Sequence, residues 1–276
     1  MMCVRRTHGR EALKVCGVLA VMMMGWATMP AGAEPILHWK FDESSGLLAA
    51  DSAPAGPGDG NNEGTLNNFP TDDSQWVAGH ADNALRFSSG NDRVVNADPG
   101  GFFDSFTVSL WVRTTDTNQA QFDSAFASSA TGGGSTDTFQ IDFDDSTPRN
   151  YRFVTTPADT ALIFGAVADD TWQHLAATVD GTDLTLYLDG NPVNSGTMGV
   201  NEGGQFNDFV AGSNRNNNRF FDGLIDDVQI YDTALSGAQI QFLNDNPGQL
   251  VPEPGTFAFL ALVAVAVLMR RPRRLS

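Results

Sequence analysis

The chain has 276 residues, with 16 Lys and Arg against 33 Asp and Glu, and its formal net charge at pH 7 is −17. Residues 1–33 and 251–276 each carry a net charge of +3, so the segment 34–250 carries −23, which would repel a phosphate backbone and argues against nucleic-acid binding. Both cysteines, Cys3 and Cys16, precede residue 34, so this segment has no thiol for a disulfide or a metal site.

The amino-terminal residues have the pattern of a secretory signal peptide. A cationic start precedes an apolar run over residues 15–26, and the small residues Ala31 and Ala33 follow. The run is too short for a comfortable membrane span and leads into a cleavage pattern. We therefore predict that signal peptidase removes residues 1–33 and that the mature chain begins at Glu34. A retained amino-terminal anchor is the alternative.

Alternation of apolar and polar residues predicts five β-strands. The segments are residues 106–114, 138–144, 172–180, 183–189 and about 220–231. For the first two, the alternation predicts antiparallel strands with one face packed on a core and the other in water. The residues expected in water are Thr107, Ser109, Arg113, Gln140, Asp142 and Asp144, whereas Trp111 is expected in the core.

Two local signals connect and follow these strands. Gly181 begins a two-residue loop between the third and fourth strands, and glycine can supply the positive φ of a hairpin turn. Ser236 and Gln239 have the spacing of a capping box, which predicts a helix after Ser236. We expect Ile240 and Leu243 of this helix to pack on the sheet.

The carboxyl-terminal end carries a second targeting pattern. Val251-Pro252-Glu253-Pro254 is followed by thirteen apolar residues over 257–269 and then by four arginines. A helix of about fourteen residues is about 21 Å long, short of a comfortable span. The arginines should stay cytoplasmic, which leaves the acidic segment on the other side of the membrane. A buried core helix would be amphipathic, whereas this run is apolar on every side.

Pro252-Glu253-Pro254, a short apolar helix and a terminal arginine cluster occur here in an order that resembles the PEP-CTERM sorting signal of Gram-negative bacteria. In that family a membrane-embedded cysteine transpeptidase, the exosortase, processes the tail at or near the Pro-Glu-Pro motif. The resemblance implies a single-pass precursor held in the inner membrane. It also implies a final place at the cell surface or in the extracellular matrix, often alongside exopolysaccharide.

Several segments of residues 36–244 follow one another in a recognisable order. They include Leu37-His38-Trp39-x-Phe41-Asp42-Glu43, Phe106-Thr107-Val108-Ser109-Leu110-Trp111-Val112, Trp172-x-His174-Leu175-Ala176 and Ile225-Asp226-Asp227-Val228-x-Ile230-Tyr231. This order resembles the laminin-G-like, concanavalin A-like jelly roll. The resemblance implies an all-β fold, a sandwich of two antiparallel sheets.

Paired carboxylates would indicate glycoside hydrolysis. Glucanases of this fold place the acid and the nucleophile on one strand face, in a Glu-x-Asp-x-Glu arrangement. The glutamates of segment 34–250 are Glu34, Glu43, Glu63 and Glu202, and none stands in that arrangement. Asp142 and Asp144 share a strand face, but such pairs are common in an acidic chain. The histidines His38, His80 and His174 have no nucleophile motif around them, so we expect no catalysis.

The jelly-roll resemblance also implies a structural calcium ion, which members of this fold often hold at a sheet edge or loop rim. Calcium takes six to eight oxygen ligands from carboxylates, carbonyls and water. The expected ligands, in the first-strand and last-strand motifs, are Asp42, Asp51, Asp226 and Asp227. The alternative is that Asp42 and Asp51 stabilise turns while Asp226 is hydrogen-bonded between strands.

Carbohydrate recognition needs an exposed aromatic ring beside planar polar groups. Trp76, close to Gln75 in a polar loop, is one candidate. The second candidate is the loop that contains Asn214, Arg215 and Arg219. The alternative for Trp76 is a loop anchor packed on the rim of the sandwich.

The sequence thus predicts a signal peptide over residues 1–33, a jelly-roll domain over 34–250 and a sorting signal over 251–276. We expect an exported surface or matrix protein that binds exopolysaccharide or a surface partner without catalysis. A structural matrix protein with no ligand site and a divergent glycoside hydrolase are the alternatives.

Overall fold

The computed structural model describes residues 33–54, 62–88, 90–129, 138–156, 161–199, 205–214 and 216–252. The predicted signal peptide up to residue 32, with Ala31, lies outside these residues, and so does the sorting signal from Glu253 and Pro254 onward. Residues Ala33–Val251 form one compact unit. Within the described residues, no helix has the length and apolar character needed to cross a membrane.

The described part of the chain contains sixteen strands and one helix. In chain order these are β1 (Pro35–Trp39), β2 (Leu48–Ala49), β3 (Gly64–Asn67), β4 (Trp76–Ala78), β5 (Asn83–Phe87), β6 (Arg93–Phe102), β7 (Ser105–Arg113), β8 (Ser124–Ser129), β9 (Thr138–Phe143), β10 (Asn150–Thr156), β11 (Ala161–Ala166), β12 (Gln173–Asp180), β13 (Asp183–Leu188), β14 (Asn191–Thr197), β15 (Gln205–Ala211), β16 (Gly223–Tyr231) and helix α1 (Gly237–Asp245).

These strands form two eight-stranded sheets. Sheet 1 has the order β14-β13-β12-β7-β16-β5-β4, with β1 also paired to β16. Sheet 2 has the order β11-β10-β9-β8-β15-β6-β3-β2. Neighbouring strands such as β7 and β12, or β9 and β10, run antiparallel. The fold is therefore an antiparallel jelly-roll sandwich, which confirms the fold class predicted from the sequence.

The local signals in the sequence are confirmed as well. The five predicted strands correspond to β7, β9, β12, β13 and β16, with ends that differ by a few residues. Gly181 has a φ of 60° in the turn between β12 and β13. At the start of α1, the backbone N–H and the hydroxyl of Ser236 donate to Gln239 Oε1 at 2.8 and 2.7 Å. Each of these features depends on residues close in the chain.

Aromatic rings from both sheets fill the space between them. Phe106 of sheet 1 stacks on Phe139 of sheet 2 with 5.5 Å between ring centroids. Phe139 in turn stacks on Phe153 at 5.4 Å. All three side chains are fully buried, and burying such a ring stabilises the fold by about 1.5–3 kcal/mol. The apolar faces predicted for β7 and β9 lie in this core.

The structure contradicts the prediction that the polar faces of β7 and β9 lie in water. The buried residues on those faces are Thr107, Ser109, Trp111, Gln140, Asp142 and Asp144. On sheet 1, segments that are distant in the chain pack over these residues. The Thr107 hydroxyl donates to the carbonyl oxygen of Thr233 at 2.8 Å, and the ring of His80 stacks on Trp111. Among these side chains, only Arg113 reaches the surface as predicted.

A second apolar cluster lies between α1 and the outer face of sheet 1. Its buried members are Ala176, Tyr187, Tyr231, Leu235, Ile240 and Leu243, and Ala33, Leu250 and Val251 pack against them. The backbone N–H of Val251 donates to the Tyr231 hydroxyl at 3.1 Å. Both boundaries of the compact unit therefore meet the same cluster. Because this unit contains both of its apolar clusters, it can be studied as an independent fragment.

Candidate functional site

A groove crosses three strands on the outer face of sheet 1. Leu224 of β16 pairs with Arg86 of β5 on one side and with Arg113 of β7 on the other. The neighbours of Arg86 in its strand, Leu85 and Phe87, point into the core, so Arg86 projects outward. The groove has a volume of about 450 Å³. The backbone approaches closely at Gly223, where a Cβ would lie 2.4 Å from the Arg113 carbonyl oxygen.

The two arginines of the groove differ in their partners. Arg113 donates through Nε to Asp170 Oδ1 at 2.8 Å, and its Nη2 lies 2.6 Å from the same oxygen. The Arg86 side chain is exposed and has no hydrogen-bond or ion-pair partner within the described residues. Arg86 therefore presents a free guanidinium, whose five N–H donors match carboxylates and paired hydroxyls.

A second cavity of about 330 Å³ adjoins the groove, because Arg86 and Ser88 line both. Gln75 lines this second cavity and is 2% exposed. Its Nε2 donates to the carbonyl oxygen of Gly46 at 3.1 Å, while its Oε1 is buried without a hydrogen-bond partner. An unpaired buried acceptor costs about 1–3 kcal/mol, which a ligand hydroxyl would offset.

Stacked aromatic rings stand beside the groove. Trp111 lies on the same face of β7 as Arg113, and the exposed ring of His80 stacks on it with 3.8 Å between centroids. The partly exposed ring of Trp172 lies 5.8 Å from His80. Partial burial lowers the pKa of His80 below its usual range, so the ring is neutral at pH 7. A neutral, exposed ring suits stacking against a sugar.

Trp76 does not offer such a ring. It is 9% exposed, belongs to the core between the sheets, and donates its indole N–H to the carbonyl oxygen of Gly46 at 3.1 Å. The structure therefore supports the alternative, in which Trp76 anchors its loop to the sandwich. The physical reason is the pairing of Trp76 with Leu85 in β5, which turns the indole inward.

The second predicted sugar-binding loop is described in part, since Arg215 lies outside the described residues. Asn214 is buried and organises the loop: its Oδ1 accepts from the Asn218 backbone N–H, and its backbone N–H donates to the Arg219 carbonyl oxygen. Arg219 is exposed, and its charge acts on Asp123. Arg219 is thus available to a ligand, whereas Asn214 is committed to the loop.

Two of the four aspartates expected to hold calcium are committed to other partners. Asp51 accepts hydrogen bonds from the backbone N–H groups of His38, Ala53 and Asn62 at 2.9, 2.9 and 3.1 Å. Asp227 accepts from His38 Nε2 at 2.6 Å, Gln229 Nε2 at 2.9 Å and the Gly248 N–H at 2.8 Å. Both carboxylates are thereby occupied by hydrogen-bond donors within the protein.

The other two, Asp42 and Asp226, line one cavity of about 230 Å³. Asp226 Oδ2 accepts from the backbone N–H groups of His80 and Ala81, but Asp226 Oδ1 is buried and has no partner. Burial raises the pKa of Asp226 to about 8, and the charges of Asp227 and Asp42 act in the same direction. Burial also raises the pKa of Asp42.

A calcium ion beside these two carboxylates would be a partner for the unpaired Oδ1 of Asp226. Its positive charge would also lower the raised pKa values of Asp42 and Asp226. Asp42 and Asp226 therefore fit the ion. The described residues contain no group of three or more His, Cys, Asp or Glu side chains arranged around one metal position. The remaining ligands would have to be carbonyl oxygens and water.

The groups that could carry catalysis are occupied or inaccessible. Asp142 is fully buried and bonded to Arg152 Nε at 2.5 Å. Burial opposes ionisation of Asp144, but hydrogen bonds from Asn150 and Ser146 outweigh it and lower the pKa of Asp144 to about 2. His174 Nε2 and Ser109 Oγ share a 2.8 Å hydrogen bond, yet both side chains are buried. Asp142, Ser109 and His174 are thus not accessible to a substrate, and Asp144 has no proton to donate near neutral pH.

The sequence reasoning missed Arg86 and the His80–Trp111 stack. Arg86 could have been found from its strand, because Ala84-Leu85-Arg86-Phe87 places one cation opposite two apolar neighbours in an acidic segment. The stack has no local signal, since His80 lies in the turn between β4 and β5 whereas Trp111 lies in β7.

Comparison with known proteins places the chain in a family. Residues 88–241 match the family model described as the concanavalin A-like lectin/glucanases superfamily. The Adhesion G-protein coupled receptor V1 of Danio rerio is 26% identical over 154 residues, which are 52% of this chain and 2% of the receptor. The chain thus spans a small fraction of that relative's length.

Solved structures are similar in fold. Domain 4 of AbnA, an extracellular arabinanase of family GH43 from Geobacillus stearothermophilus solved in complex with arabinotriose, has a TM-score of 0.58 at 21% identity, over 77% of this chain and 98% of that one. The binding domain of botulinum neurotoxin serotype D has a TM-score of 0.58 at 15% identity, over 77% and 51%. With the described sheets and the family match, the chain belongs to the concanavalin A-like lectin/glucanases superfamily.

Proposed function

We propose that this chain is an exported binding protein of a bacterial surface whose jelly-roll domain binds carbohydrate in the groove on sheet 1. The observation that carries the proposal is the groove itself, which combines hydrogen-bonding side chains with the exposed ring of His80 beside it. Sugar-binding sites pair an aromatic ring with a few polar groups that bind hydroxyls. The complex of AbnA domain 4 with arabinotriose supports a ligand of this class.

The domain binds its ligand without catalysis. In support, Asp142 is held by Arg152, Asp144 is ionised far below neutral pH, and the Ser109–His174 pair is buried. A glycosidase needs one carboxyl group that keeps its proton and one that is ionised, both at the sugar. Of the two aspartates that line the groove, Asp170 and Asp222, the first is held in an ion pair by Arg113.

The two end segments direct export and sorting. The signal peptide over residues 1–33 directs secretion, and the tail over 251–276 holds the precursor in the inner membrane of a Gram-negative bacterium until an exosortase processes it at Pro252-Glu253-Pro254. The protein then resides at the cell surface or in the extracellular matrix. In support of this processing, the buried members of both apolar clusters all lie between Ile36 and Leu243, so removal of the two end segments leaves them in place.

The sorting proposal is tested in a Gram-negative host that has an exosortase. The unchanged chain should appear at the surface with a shortened mass, whereas a chain with Pro252, Glu253 and Pro254 all changed to Ala should accumulate as an inner-membrane precursor. Surface delivery of this variant at the normal rate would contradict the assignment.

Calcium serves the domain as a structural ion, held by Asp42 and Asp226 in the cavity that they line. The unpartnered Oδ1 of Asp226 and the raised pKa values of both aspartates support this assignment. When bound, the ion supplies positive charge to a cavity where carboxylates otherwise repel one another. Asp226 also holds the His80 turn, so the ion would stabilise the ring beside the groove.

The test of the binding function is a glycan array with purified residues 34–252. We expect a specific signal that His80→Ala reduces about tenfold, since stacking on an aromatic ring contributes about 1 kcal/mol or more. Phe122→Ala is the matched control, because Phe122 is an aromatic residue 38% exposed elsewhere on the domain. A flat array would favour the structural matrix protein, and turnover of a polysaccharide would favour the hydrolase.

A further inference from the structure

The free guanidinium of Arg86 narrows the ligand class, if the groove on sheet 1 is the binding site proposed above. We propose that this groove selects a sugar residue that carries a carboxylate, with the Arg86 guanidinium binding the carboxylate and Gln75 Oε1 accepting a neighbouring hydroxyl. Both side chains line the cavity of about 330 Å³ that adjoins the groove. The uronic acids of acidic polysaccharides have this chemistry.

Cations are scarce in this acidic domain. Segment 34–250 has 8 Lys and Arg against 31 Asp and Glu. There are almost four carboxylates for each cation, and two arginines of the described residues are held in ion pairs: Arg113 binds Asp170, and Arg152 binds Asp142. Among the described residues the Arg86 side chain has no such partner, although its strand pairs with β16, which carries two aspartates. Its charge is therefore available to a ligand.

The geometry of the Arg86 guanidinium suits a carboxylate. Its planar fork binds a carboxylate through two parallel N–H donors, and such charge-assisted bonds are about twice as strong as neutral ones. The other arginine of the groove, Arg113, is already neutralised by Asp170. Discrimination between an acidic sugar and its neutral form therefore falls to Arg86.

Gln75 supports an acidic sugar as the ligand independently of Arg86. Gln75 lines the same cavity and is held in place through Nε2 by Gly46, and its buried Oε1 has no hydrogen-bond partner among the described residues. An acceptor fixed in this way needs a donor from the ligand, and a sugar hydroxyl supplies one. A free inorganic anion would not, so the pair favours an acidic sugar over a simple anion.

The net charge of the domain makes this binding depend on the salt concentration. A charge of −23 repels a polyanion at long range, but at 0.15 M salt the screening length is about 8 Å. Within that distance Arg86 competes with Asp92, Asp170 and Asp222 of the two cavities, of which Asp170 is paired with Arg113 and Asp92 accepts hydrogen bonds from Ser88. We therefore expect binding of short acidic oligosaccharides at physiological salt and weaker binding when the ionic strength is lowered, since repulsion by the rest of the domain then reaches further.

The test uses residues 34–252 and three acidic oligosaccharides, of galacturonate, mannuronate and hyaluronan, each with its carboxyl-reduced neutral counterpart. Isothermal titration at 0.15 M NaCl should give at least one acidic oligosaccharide a Kd about tenfold or more below that of its neutral counterpart. Arg86→Gln should reduce this ratio to about twofold without changing Tm. Arg219→Gln, which removes an exposed arginine of the other candidate loop, should leave the ratio unchanged.

The outcomes separate this inference from the proposed function. Equal binding of acidic and neutral forms, or an acid preference that survives in Arg86→Gln, would overturn the role of Arg86 but leave a sugar-binding groove. A preference lost in Arg219→Gln alone would move the site to that loop. Binding of none of the six oligosaccharides, together with a flat glycan array, would overturn both. Tight binding of sulfate by Arg86 without any sugar would show an anion site and not a uronate site.

Discussion

Asp226 on β16 holds the turn that carries His80, 146 residues earlier in the chain. Its Oδ2 accepts the backbone N–H of His80 at 2.8 Å and that of Ala81 at 3.1 Å. The same turn lays the His80 ring on Trp111. One buried carboxylate thus connects the calcium cavity on one side of the turn with the aromatic ring beside the groove on the other.

Loss of this carboxylate should loosen the turn. In Asp226→Ala the N–H groups of His80 and Ala81 lose their acceptor, so we expect both amides to exchange hydrogen about tenfold faster or more. Asp226→Asn keeps one carbonyl oxygen at the site and should preserve their protection. Amide exchange measured by NMR decides between these outcomes. Equal exchange in the alanine variant and the unchanged domain would mean that Asp226 does not hold the turn.

Calcium should raise the melting temperature of the domain by a few degrees. An ion at about 100 times its Kd stabilises the folded state by about 2.7 kcal/mol, and tryptophan fluorescence in calcium and in chelator measures the shift. Asp42→Asn and Asp226→Asn should each abolish the shift. Asp51→Asn should lower Tm in both conditions yet keep the shift, because Asp51 binds three backbone N–H groups instead. A shift that persists in both ligand variants would place the ion elsewhere.

Lowering the pH should destabilise the domain through His174. Burial lowers the pKa of His174 to about 4 from an ordinary value of 6.5, so the unfolded chain takes up a proton that the folded chain resists. The contribution of His174 to stability is therefore full above pH 6.5 and is lost as the pH falls toward 4.

Urea unfolding at pH 7 and pH 5 measures this effect. One pKa unit corresponds to about 1.4 kcal/mol. The free energy of unfolding of His174→Gln should therefore fall by about 2 kcal/mol less between pH 7 and pH 5 than that of the unchanged domain. His80→Gln is the comparison: burial lowers the pKa of His80 too, but without the large shift of His174, so this variant should recover a smaller part of the loss. Parallel losses in the His174 variant and the unchanged domain would contradict a buried neutral His174.

A side chain at Gly223 should disturb the groove and the sheet together. Gly223 has a φ of 154°, and a Cβ there would lie 2.4 Å from the Arg113 carbonyl oxygen. We expect Gly223→Ala to lower the free energy of unfolding by about 1–3 kcal/mol and to weaken sugar binding. Gly181→Asn is the comparison, because its turn leaves open space around a Cβ and asparagine accepts a positive φ. Chemical denaturation of both variants checks the difference.

The sequence by itself determined the features that depend on nearby residues. The alternation of Phe139, Ile141 and Phe143 with polar residues identifies a strand and its core face, because side chains in a strand alternate between two sides. Gly181 marks the hairpin, and Ser236 with Gln239 marks the helix start, because each acts within one turn of chain. The strand patterns and their order therefore sufficed for the fold class.

Only the tertiary structure decided what covers each face and which residues meet. Alternation separates the two sides of a strand but does not reveal that His80 covers Trp111 or that Trp76 turns inward. Arg86, Arg113 and Leu224 form the groove through the register of three strands that are far apart in sequence. Asp51 and Asp226 have the same side chain, yet one is satisfied by backbone donors and the other keeps an unpaired oxygen. The strand register and the segments that pack on each sheet face are set by contacts between distant parts of the chain, so local sequence patterns do not predict them.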